Sequence, residues 1–194
     1  MSIIKNKEQI IEVLNSGGVI AFVTDTVWGL GCLPDNETAV KKIYDIKKRE
    51  AQKPLILMSS DIKNLKPYVK DFSEKAKELS DKYFPGALTL VLKKSDKTSD
   101  YITSNFDTVG IRVPDNKVFK EICELAKGKV LATTSANLSH EPSAKSYEQA
   151  KENMQGKADL IIDDYGYTAK GLESTVVLVT GNETKILRQG QIIL

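Results

Sequence analysis

The chain has 194 residues, of which 41% are hydrophobic and 28% charged, so it is long enough for one domain with a substantial core and too short to require two. Because 28 Lys and Arg face 26 Asp and Glu, the formal net charge is only +2, which excludes a global field that gathers nucleic acid. The two cysteines, Cys32 and Cys123, lie far apart and indicate neither a disulfide framework nor a zinc site. We therefore expect a single domain over residues 1–194, in a reducing compartment, with any anion site being local.

The N-terminus mixes charged and apolar residues, which argues against a signal peptide. No apolar run approaches the roughly 18 residues of a membrane span. The sequence therefore predicts a soluble, cytoplasmic protein without a membrane partner.

Helical and strand patterns alternate along the chain. Asn6 and Gln9 have the spacing of a helix N-cap box, and Ile10, Ile11 and Leu14 would form one apolar face of the helix that follows. Further helices are predicted at about 37–48, 73–83, 118–127 and 147–154, and strands at about 19–24, 54–58, 87–92, 109–113, 130–134, 160–162, 174–179 and 185–188. The polar stretch 93–105 lacks a clear period and is interpreted as a loop. This order predicts an α/β fold without internal repeats.

Several enzyme classes lack their motifs in this sequence. There is no P-loop, and Gly29 and Gly31 lack the third glycine of a dinucleotide fingerprint. The one histidine, His140, lies in a polar segment where a solvated surface position is the better interpretation, and no metalloprotease or α/β-hydrolase motif is present. A chemistry that needs a histidine base is therefore disfavoured.

The octapeptide Thr24–Gly31 (TDTVWGLG) follows an apolar run with the composition of a buried strand. It places hydroxyl groups, a carboxylate and two glycines, which would permit a turn, at a strand end where open α/β sheets commonly bind ligands. The octapeptide therefore predicts a small-molecule site.

Two further clusters combine cations or hydroxyls with strand ends. One cluster stands at the end of a predicted helix and consists of Lys47, Lys48 and Arg49, with Lys53 just beyond. Cations at a helix C-terminus often only complement the helix dipole and stay solvated, which is the alternative to an anion site. The run 133–137 (TTSAN) follows a strand and suits either a phosphate cradle or ordinary turn and cap chemistry. Neither cluster decides between these alternatives by itself.

Single residues on later strands add to the pattern. Arg112 alternates with Ile111 and Val113, so it faces either a solvated sheet surface or a cleft, and its guanidinium suits a carboxylate or a phosphate. The segment 173–175 (EST) opens a late strand, and Arg188 lies within the last one. Each signal is weak alone, but all of them put polar groups at or within apolar strands.

Seven motifs in this order resemble the YrdC/TsaC family, the threonylcarbamoyl-AMP synthases. They are TDTVWGLG (24–31), KKR (47–49), KPL (53–55), PGALTLV (85–91), GIRVP (110–114), SANLS (135–139) and ESTVV (173–177). The resemblance runs from about Ile10 to the C-terminus, and it is the seven motifs in order that make it specific. It implies a YrdC-like open, twisted sheet with flanking helices around a concave, positively charged cleft.

The resemblance also implies a reaction. L-threonine, bicarbonate or CO2, and ATP with Mg²⁺ would give L-threonylcarbamoyladenylate and diphosphate, which is a nucleotidyl transfer. The product would feed the t6A modification of adenosine 37 in tRNAs that read codons starting with A. A tRNA threonylcarbamoyltransferase complex of the TsaD/TsaB/TsaE type would be the functional partner.

Matching positions carry over the family's site residues. The implied catalytic cations, which hold the nucleotide phosphates, are Lys47 and Arg49. The implied ATP contacts are Lys47, Arg49, Lys53, Thr108, Asn137, Arg188 and Lys145, the last in a segment where Thr is frequent. The implied threonine contacts are Thr26, Arg112, Ser135 and Ser174. No resident metal site is implied.

Four positions depart from the commoner family pattern, at Trp28, Glu50, Met58 and Lys145, and none of them removes a cation that the chemistry needs.

An RNA-binding module of the same fold, for double-stranded RNA or tRNA, is the main alternative, although the near-neutral charge and the absence of an aromatic RNA motif disfavour it. A carbamoyl-adenylating domain of the hydrogenase-maturation type would bring zinc-finger motifs, which this sequence lacks. A purely structural α/β protein would require every polar cluster to be coincidental.

Overall fold

A computed structural model describes residues 2–48, 53–139 and 141–194. Its helices are α1 (Lys7–Asn15), α2 (Glu37–Lys47), α3 (Ile62–Leu65), α4 (Glu74–Tyr83), α5 (Asp100–Thr103), α6 (Lys117–Leu125) and α7 (Tyr147–Met154), with 3-10 turns at Lys66–Tyr68 and Lys127–Lys129. Its strands are β1 (Ile20–Phe22), β2 (Gly29–Cys32), β3 (Ile56–Ser59), β4 (Leu88–Lys93), β5 (Thr108–Arg112), β6 (Val130–Ser135), β7 (Leu160–Ile161), β8 (Thr175–Thr180) and β9 (Glu183–Arg188). Within these ranges no helix is long and apolar enough to cross a bilayer.

The strands of the described ranges form a nine-stranded sheet in the order β7-β1-β2-β6-β3-β5-β4-β8-β9. The pairs β1–β7, β3–β5 and β4–β8 are parallel, and the other neighbours are antiparallel. The sheet is open, with β7 and β9 at its edges, and helices flank it. The predicted α/β architecture is therefore confirmed.

Helix α1 shows how the apolar pattern translates into packing. Ile10 and Leu14 are buried as predicted, but Ile11 is 37% exposed, so its predicted place on the apolar face is wrong. A helix advances 100° per residue, and the face centred on the i and i+4 pair turns Ile11 toward solvent. Asn6 occupies the N-cap position without a side-chain hydrogen bond to the backbone; its Nδ2 donates to Gln9 Oε1 at 3.2 Å instead.

Strand β2 was not predicted, because the octapeptide was interpreted as a turn made possible by its glycines. Gly29 and Gly31 instead lie in this strand, and a Cβ on either would approach the ring of Phe22 to 2.7 or 3.0 Å. Phe22 packs against Phe119 on α6 with ring centroids 5.3 Å apart. The two glycines therefore make room for an aromatic core residue rather than for a turn.

The hairpin turn between β1 and β2 is closed by a threonine hydroxyl. Thr24 Oγ1 donates to the carbonyl of Val27 at 2.6 Å and accepts from the backbone N–H of Thr26 at 3.2 Å. Small hydroxyl side chains commonly satisfy turn backbone in this way. The turn is consequently fixed by the Thr24 hydroxyl, the first hydroxyl of the octapeptide.

Helix α2 delivers Lys47 to the sheet. Its N-cap Asn36 accepts from the backbone N–H of Ala39, and its apolar face buries Val40 and Ile43. Lys47 is the last residue of the helix and is buried, while Lys48 closes the helix in the left-handed conformation at φ 47°. The short helices α3 and α5 were not predicted, since four residues are too few for a helical period to show.

Candidate functional site

A cavity of about 720 Å³ opens on one face of the sheet. Alternate residues of β5, namely Thr108, Gly110 and Arg112, line it, as do Thr89 and Val91 of β4. Because successive side chains of a strand point to opposite faces, this spacing places the cavity on a single sheet face. The volume is within the range of pockets that hold nucleotide-sized ligands.

The cavity gathers most of the residues implied by the family resemblance. Seven of them line it: Thr26, Lys53, Thr108, Arg112, Ser135, Ser174 and Arg188. They come from six strands or strand ends, spread from the first hairpin to the last strand. These residues therefore share one cavity, whereas their individual roles stay predictions.

Arg112 is held by three acceptors at the cavity wall. Its Nε donates to the carbonyl of Gly86 at 3.0 Å, its Nη1 to Thr26 Oγ1 at 2.8 Å, and its Nη2 to Asp25 Oδ1 at 2.6 Å. Burial lowers the pKa of the Arg112 guanidinium, Asp25 opposes that shift, and Arg188 adds to it by repulsion. The sequence left open whether Arg112 faces a solvated sheet surface or a cleft, and the side chain lies in the cleft.

A second cation, Arg188, lies on β9 and also lines the cavity. Its Nη1 contacts Glu173 Oε2 at 2.6 Å, and its Nε and Nη2 donate to the carbonyl of Ser174 at 3.2 and 3.0 Å. Ser174 Oγ in turn lies 2.8 Å from Thr89 Oγ1 and accepts from Arg188 Nη2 at 3.2 Å. Arg188 and two hydroxyl groups thus form one connected polar wall.

The C-terminal segment after β9 supports this wall. The Thr175 hydroxyl donates to the carbonyl of Ile192 at 2.6 Å and accepts from the backbone N–H groups of Gly190 and Ile192 at 3.0 Å each. A Cβ on Gly190 would come within 2.3 Å of the Glu173 carbonyl oxygen. The residue must be glycine for the segment to pack this closely.

Lys47 lies outside the cavity lining and holds the loop after β6. Its Nζ donates to the carbonyls of Ser135 and Asn137, both at 2.7 Å, and to Asn137 Oδ1 at 2.9 Å. Asn137 also accepts from Ser135 Oγ at 2.5 Å and donates to the carbonyl of Glu141 at 2.5 Å. The cation therefore sits directly behind the segment that carries Ser135 into the cavity.

The octapeptide is fixed by two later segments of the chain. The backbone N–H of Trp28 donates to the carbonyl of Ala144 at 2.9 Å. The backbone carbonyl of Trp28 accepts from the backbone N–H of Ala136 at 2.8 Å. The Trp28 ring lines the cavity and contacts Tyr147, with centroids 5.8 Å apart. Its buried indole Nε1 has no hydrogen-bond partner among the residues that the structure describes.

Three predicted site residues, Lys47, Asn137 and Lys145, are absent from the cavity lining. Lys145 is exposed, is absent from the cavity lining, and packs its aliphatic stem against Gly171. The predictions for Arg49, as well as those for Glu50 and His140, lie outside the described residues. Met58, by contrast, lines the cavity.

Several cavity residues were not assigned a role from sequence, although most of them stood inside a quoted motif. They are Thr24, Thr89, Phe106, Glu173 and Leu187. Thr89 and Glu173 belong to the PGALTLV and ESTVV motifs, so a polar residue on an apolar strand was the available signal. Phe106 and Leu187 are 49% and 51% exposed at the cavity, and nothing in the sequence marks them.

Potential metal ligands are sparse in the described parts of the chain. No group of three His, Cys, Asp or Glu side chains there is arranged to hold a metal ion. Glu173 is the one carboxylate that lines the cavity within those parts, and it is already hydrogen bonded to Ser143 and Arg188.

A protein-family model described as "Sua5_yciO_yrdC: Telomere recombination" matches residues 12–190. Among curated proteins, the chain is 35% identical to the threonylcarbamoyl-AMP synthase of Vibrio campbellii, covering 96% of this chain and 100% of that protein. It is 38% identical to the threonylcarbamoyl-AMP synthase of Pyrococcus abyssi, covering 91% of this chain but 52% of that protein. The chain thus spans about half the length of the archaeal relative.

The fold also matches a solved structure. The crystal structure of Pyrococcus abyssi Sua5 complexed with L-threonine superposes with a TM-score of 0.88 and 36% sequence identity, over 95% of this chain and 55% of that one. The likeness in fold and in sequence therefore extends over the same nearly complete range of residues.

Proposed function

This chain belongs to the Sua5/YciO/YrdC family, and we propose that it is a threonylcarbamoyl-AMP synthase. The observation that carries the proposal is the cavity in which Arg112, Arg188 and four hydroxyl residues, Thr26, Thr89, Ser135 and Ser174, converge. L-Threonine, bicarbonate or CO2, and ATP are the proposed substrates. L-Threonylcarbamoyladenylate and diphosphate are the proposed products, made for the t6A modification of tRNA.

The threonine end of the cavity is proposed to lie around Arg112. Its guanidinium carries more N–H donors than its three protein acceptors use, so it can also donate to the substrate carboxylate. Asp25 and Thr26 hold it in place, which reduces the entropy lost when the ligand binds. Thr26, Ser135 and Ser174 supply hydroxyls for the polar groups of the amino acid.

The nucleotide end is proposed to use the remaining cations. Arg188 and Lys53 line the cavity and can neutralise phosphate oxygens, and Thr108 on the same lining is a further proposed ATP contact. Asn137, which is also proposed to contact ATP, lies outside this lining. Lys47 places a buried positive charge behind the loop of Ser135, and Lys47 and Arg49 are the proposed catalytic cations. We assign no ATP contact to Lys145, because its side chain is exposed and packs on Gly171.

Charge neutralisation and positioning are the proposed means of catalysis. The threonine nitrogen would form a carbamate with CO2 or bicarbonate, and a carbamate oxygen would attack the α-phosphorus of ATP as diphosphate leaves. The carbamate and the triphosphate are both anionic, so fixed cations lower the barrier by offsetting their repulsion. Magnesium would enter with ATP as part of the substrate, since the described cavity lining offers a single, already bonded carboxylate.

Diphosphate release tests the proposal. With ATP and Mg²⁺, release should require both L-threonine and bicarbonate, and serine should not replace threonine equally. Release that is independent of threonine would contradict the assignment. A steep fall of tRNA affinity with salt, together with no ATP turnover, would instead support the RNA-binding alternative. A complex of the TsaD/TsaB/TsaE type is the proposed consumer of the product.

A further inference from the structure

Glu173 brings a negative charge into a cavity whose other charged lining residues, among those that the structure describes, are the cations Lys53, Arg112 and Arg188. It is the one carboxylate of the lining within the described residues, and it stands beside Ser174 at the start of β8. Ser143 Oγ donates to its Oε1 at 3.0 Å, and Arg188 Nη1 donates to its Oε2 at 2.6 Å. Two different segments therefore fix the direction of this carboxylate.

The proposed amino-acid substrate needs such a group. L-Threonine is a zwitterion, whose carboxylate suits the cation Arg112 and whose ammonium suits an anion. An ammonium transferred from water into a pocket without an acceptor loses hydration that nothing replaces. A carboxylate accepts charge-assisted hydrogen bonds from an ammonium, which are among the stronger hydrogen bonds in proteins.

The neighbouring carboxylate cannot serve this purpose. Asp25 is 6% exposed, does not line the cavity, and directs Oδ1 to Arg112. Glu173, in contrast, accepts a hydrogen bond from Ser143 on Oε1 and one from Arg188 on Oε2, and each carboxylate oxygen has a second lone pair. It can accept from an additional N–H donor without releasing Ser143 or Arg188.

We infer that Glu173 binds the α-amino group of the amino-acid substrate and so selects for α-amino acids over hydroxy acids that lack the amine. The inference rests on the proposed function, because it assumes that threonine occupies this cavity. Glu173 and Arg112 then form a matched pair, with one group for each charge of the zwitterion. The hydroxyls of Thr26 and Ser174 complete the pocket between them.

The connections of Glu173 place it near the rest of the threonine contacts. Arg188, its ion-pair partner, is close enough to Arg112 to lower the pKa of that guanidinium. Gly171, two residues before Glu173, donates its backbone N–H to the carbonyl of Thr26 at 2.7 Å. The loop that carries Glu173 is therefore attached to the octapeptide at its threonine-binding residue.

A ligand-by-mutant cycle tests the inference without turnover. Calorimetry would measure binding of L-threonine and of (R)-3-hydroxybutanoate, the same molecule without its amine, in the presence of a non-hydrolysable ATP analogue. Glu173→Gln keeps the size of the side chain, removes its charge and replaces one of its two acceptor oxygens by an NH2 donor. We expect it to weaken threonine binding about tenfold to a hundredfold and to leave the affinity for 3-hydroxybutanoate unchanged.

Matched variants separate recognition from structure. Glu173→Asp keeps the charge and should recover part of the preference for the amino acid. Ser143→Ala removes the hydroxyl that donates to Oε1 but keeps the carboxylate, so the preference should persist. Equal weakening of both ligands in Glu173→Gln, or no weakening, would overturn the inference while leaving the proposed function intact. Failure of the unmodified protein to bind threonine at all would overturn both.

Discussion

Arg112 and Asp25 form an ion pair of 2.6 Å in which both side chains are almost fully buried, at 3% and 5% side-chain exposure. The pair joins the octapeptide to the C-terminal end of β5, and Arg112 lines the cavity. A buried charge that loses its partner remains desolvated. Removing one partner therefore lowers the stability of the fold more than replacing the whole pair by apolar residues would. Stability and ligand geometry consequently depend on the same contact.

Asp25→Asn should lower the free energy of unfolding by about 3 to 5 kcal/mol, because it leaves the Arg112 charge buried without a counter-ion. Urea unfolding at neutral pH measures the change. Glu37→Gln is the matched control, since Glu37 and Lys41 form an exposed pair on α2. The control should change stability by less than about 0.5 kcal/mol. Equal effects of the two variants would contradict the importance of burial.

Lys47→Ala should reduce diphosphate release at least about a hundredfold, as expected when a well-placed cation or its supported loop is lost. The same variant should lose about 1 to 3 kcal/mol of stability, because the carbonyls of Ser135 and Asn137 lose a charged donor. Steady-state kinetics and urea unfolding provide the two measurements. Lys48→Ala is the control, because Lys48 is an exposed neighbour, and it should retain activity. Near-normal turnover of Lys47→Ala would refute the assignment of Lys47 as a catalytic cation.

Gly190→Ala should displace the C-terminal segment, since the new Cβ would lie 2.3 Å from the Glu173 carbonyl oxygen and 2.4 Å from the Ser174 carbonyl carbon. We expect KM for ATP or threonine to rise at least about tenfold and stability to fall by about 1 to 3 kcal/mol. Gly156→Ala is the control, because its Cβ would meet nothing within 4 Å and only its φ of +73° is unfavourable. That control should lose about 1 kcal/mol and keep its kinetics.

Both cysteines should resist alkylation in the folded protein. Burial raises the pKa of the Cys32 thiol to about 12 and that of Cys123 to about 11, so little reactive thiolate exists near pH 8. Mass spectrometry after iodoacetamide treatment should show no modification of the native chain and two modifications in denaturant. Rapid labelling of the native protein would show that these thiols are more accessible than the structure indicates.

Asp159 should make stability depend on acid pH. Burial alone would raise the pKa of Asp159, but hydrogen bonds from Lys42 Nζ and from the Val19 backbone N–H outweigh it and hold the pKa below 3.8. A depressed pKa stabilises the fold above the unfolded value, and this contribution is lost as the pH falls through the folded value. Asp159→Asn should therefore be about 1 kcal/mol less stable at pH 7, with the deficit shrinking toward about pH 3. Urea unfolding at both pH values measures it, and a constant deficit would contradict the mechanism.

The fold was most predictable where local signals were strong. Tyr147–Met154 was predicted with the observed bounds, because its polar cap and helical period agree. Strand β2 was missed, since two of its four residues are glycines whose purpose depends on the distant ring of Phe22. The packing of these glycines against Phe22 is a tertiary contact, and a local sequence pattern does not reveal it.

The site was predictable as a set of positions but not as a set of contacts. Polar residues on apolar strands identified Arg112, Ser174 and others that line the cavity. The sequence could not show that Lys47 would donate hydrogen bonds to the carbonyls of Ser135 and Asn137, or that Glu173 would line the cavity. Side-chain direction at a strand end depends on the packing of segments far apart in the chain.

The pairing of β4 with β8 joins Leu88 to Thr175 in a parallel arrangement. Bringing together segments so distant in sequence requires the closure of a long loop, and contacts of this kind form slowly during folding. The wall of Ser174 and Arg188 exists only after that closure, because it lies on the β8 and β9 side of the pair. A chain leaving the ribosome thus acquires its cavity only after β8 and β9 have been made, and recovery of ligand binding after refolding should report this late closure rather than the first step of folding.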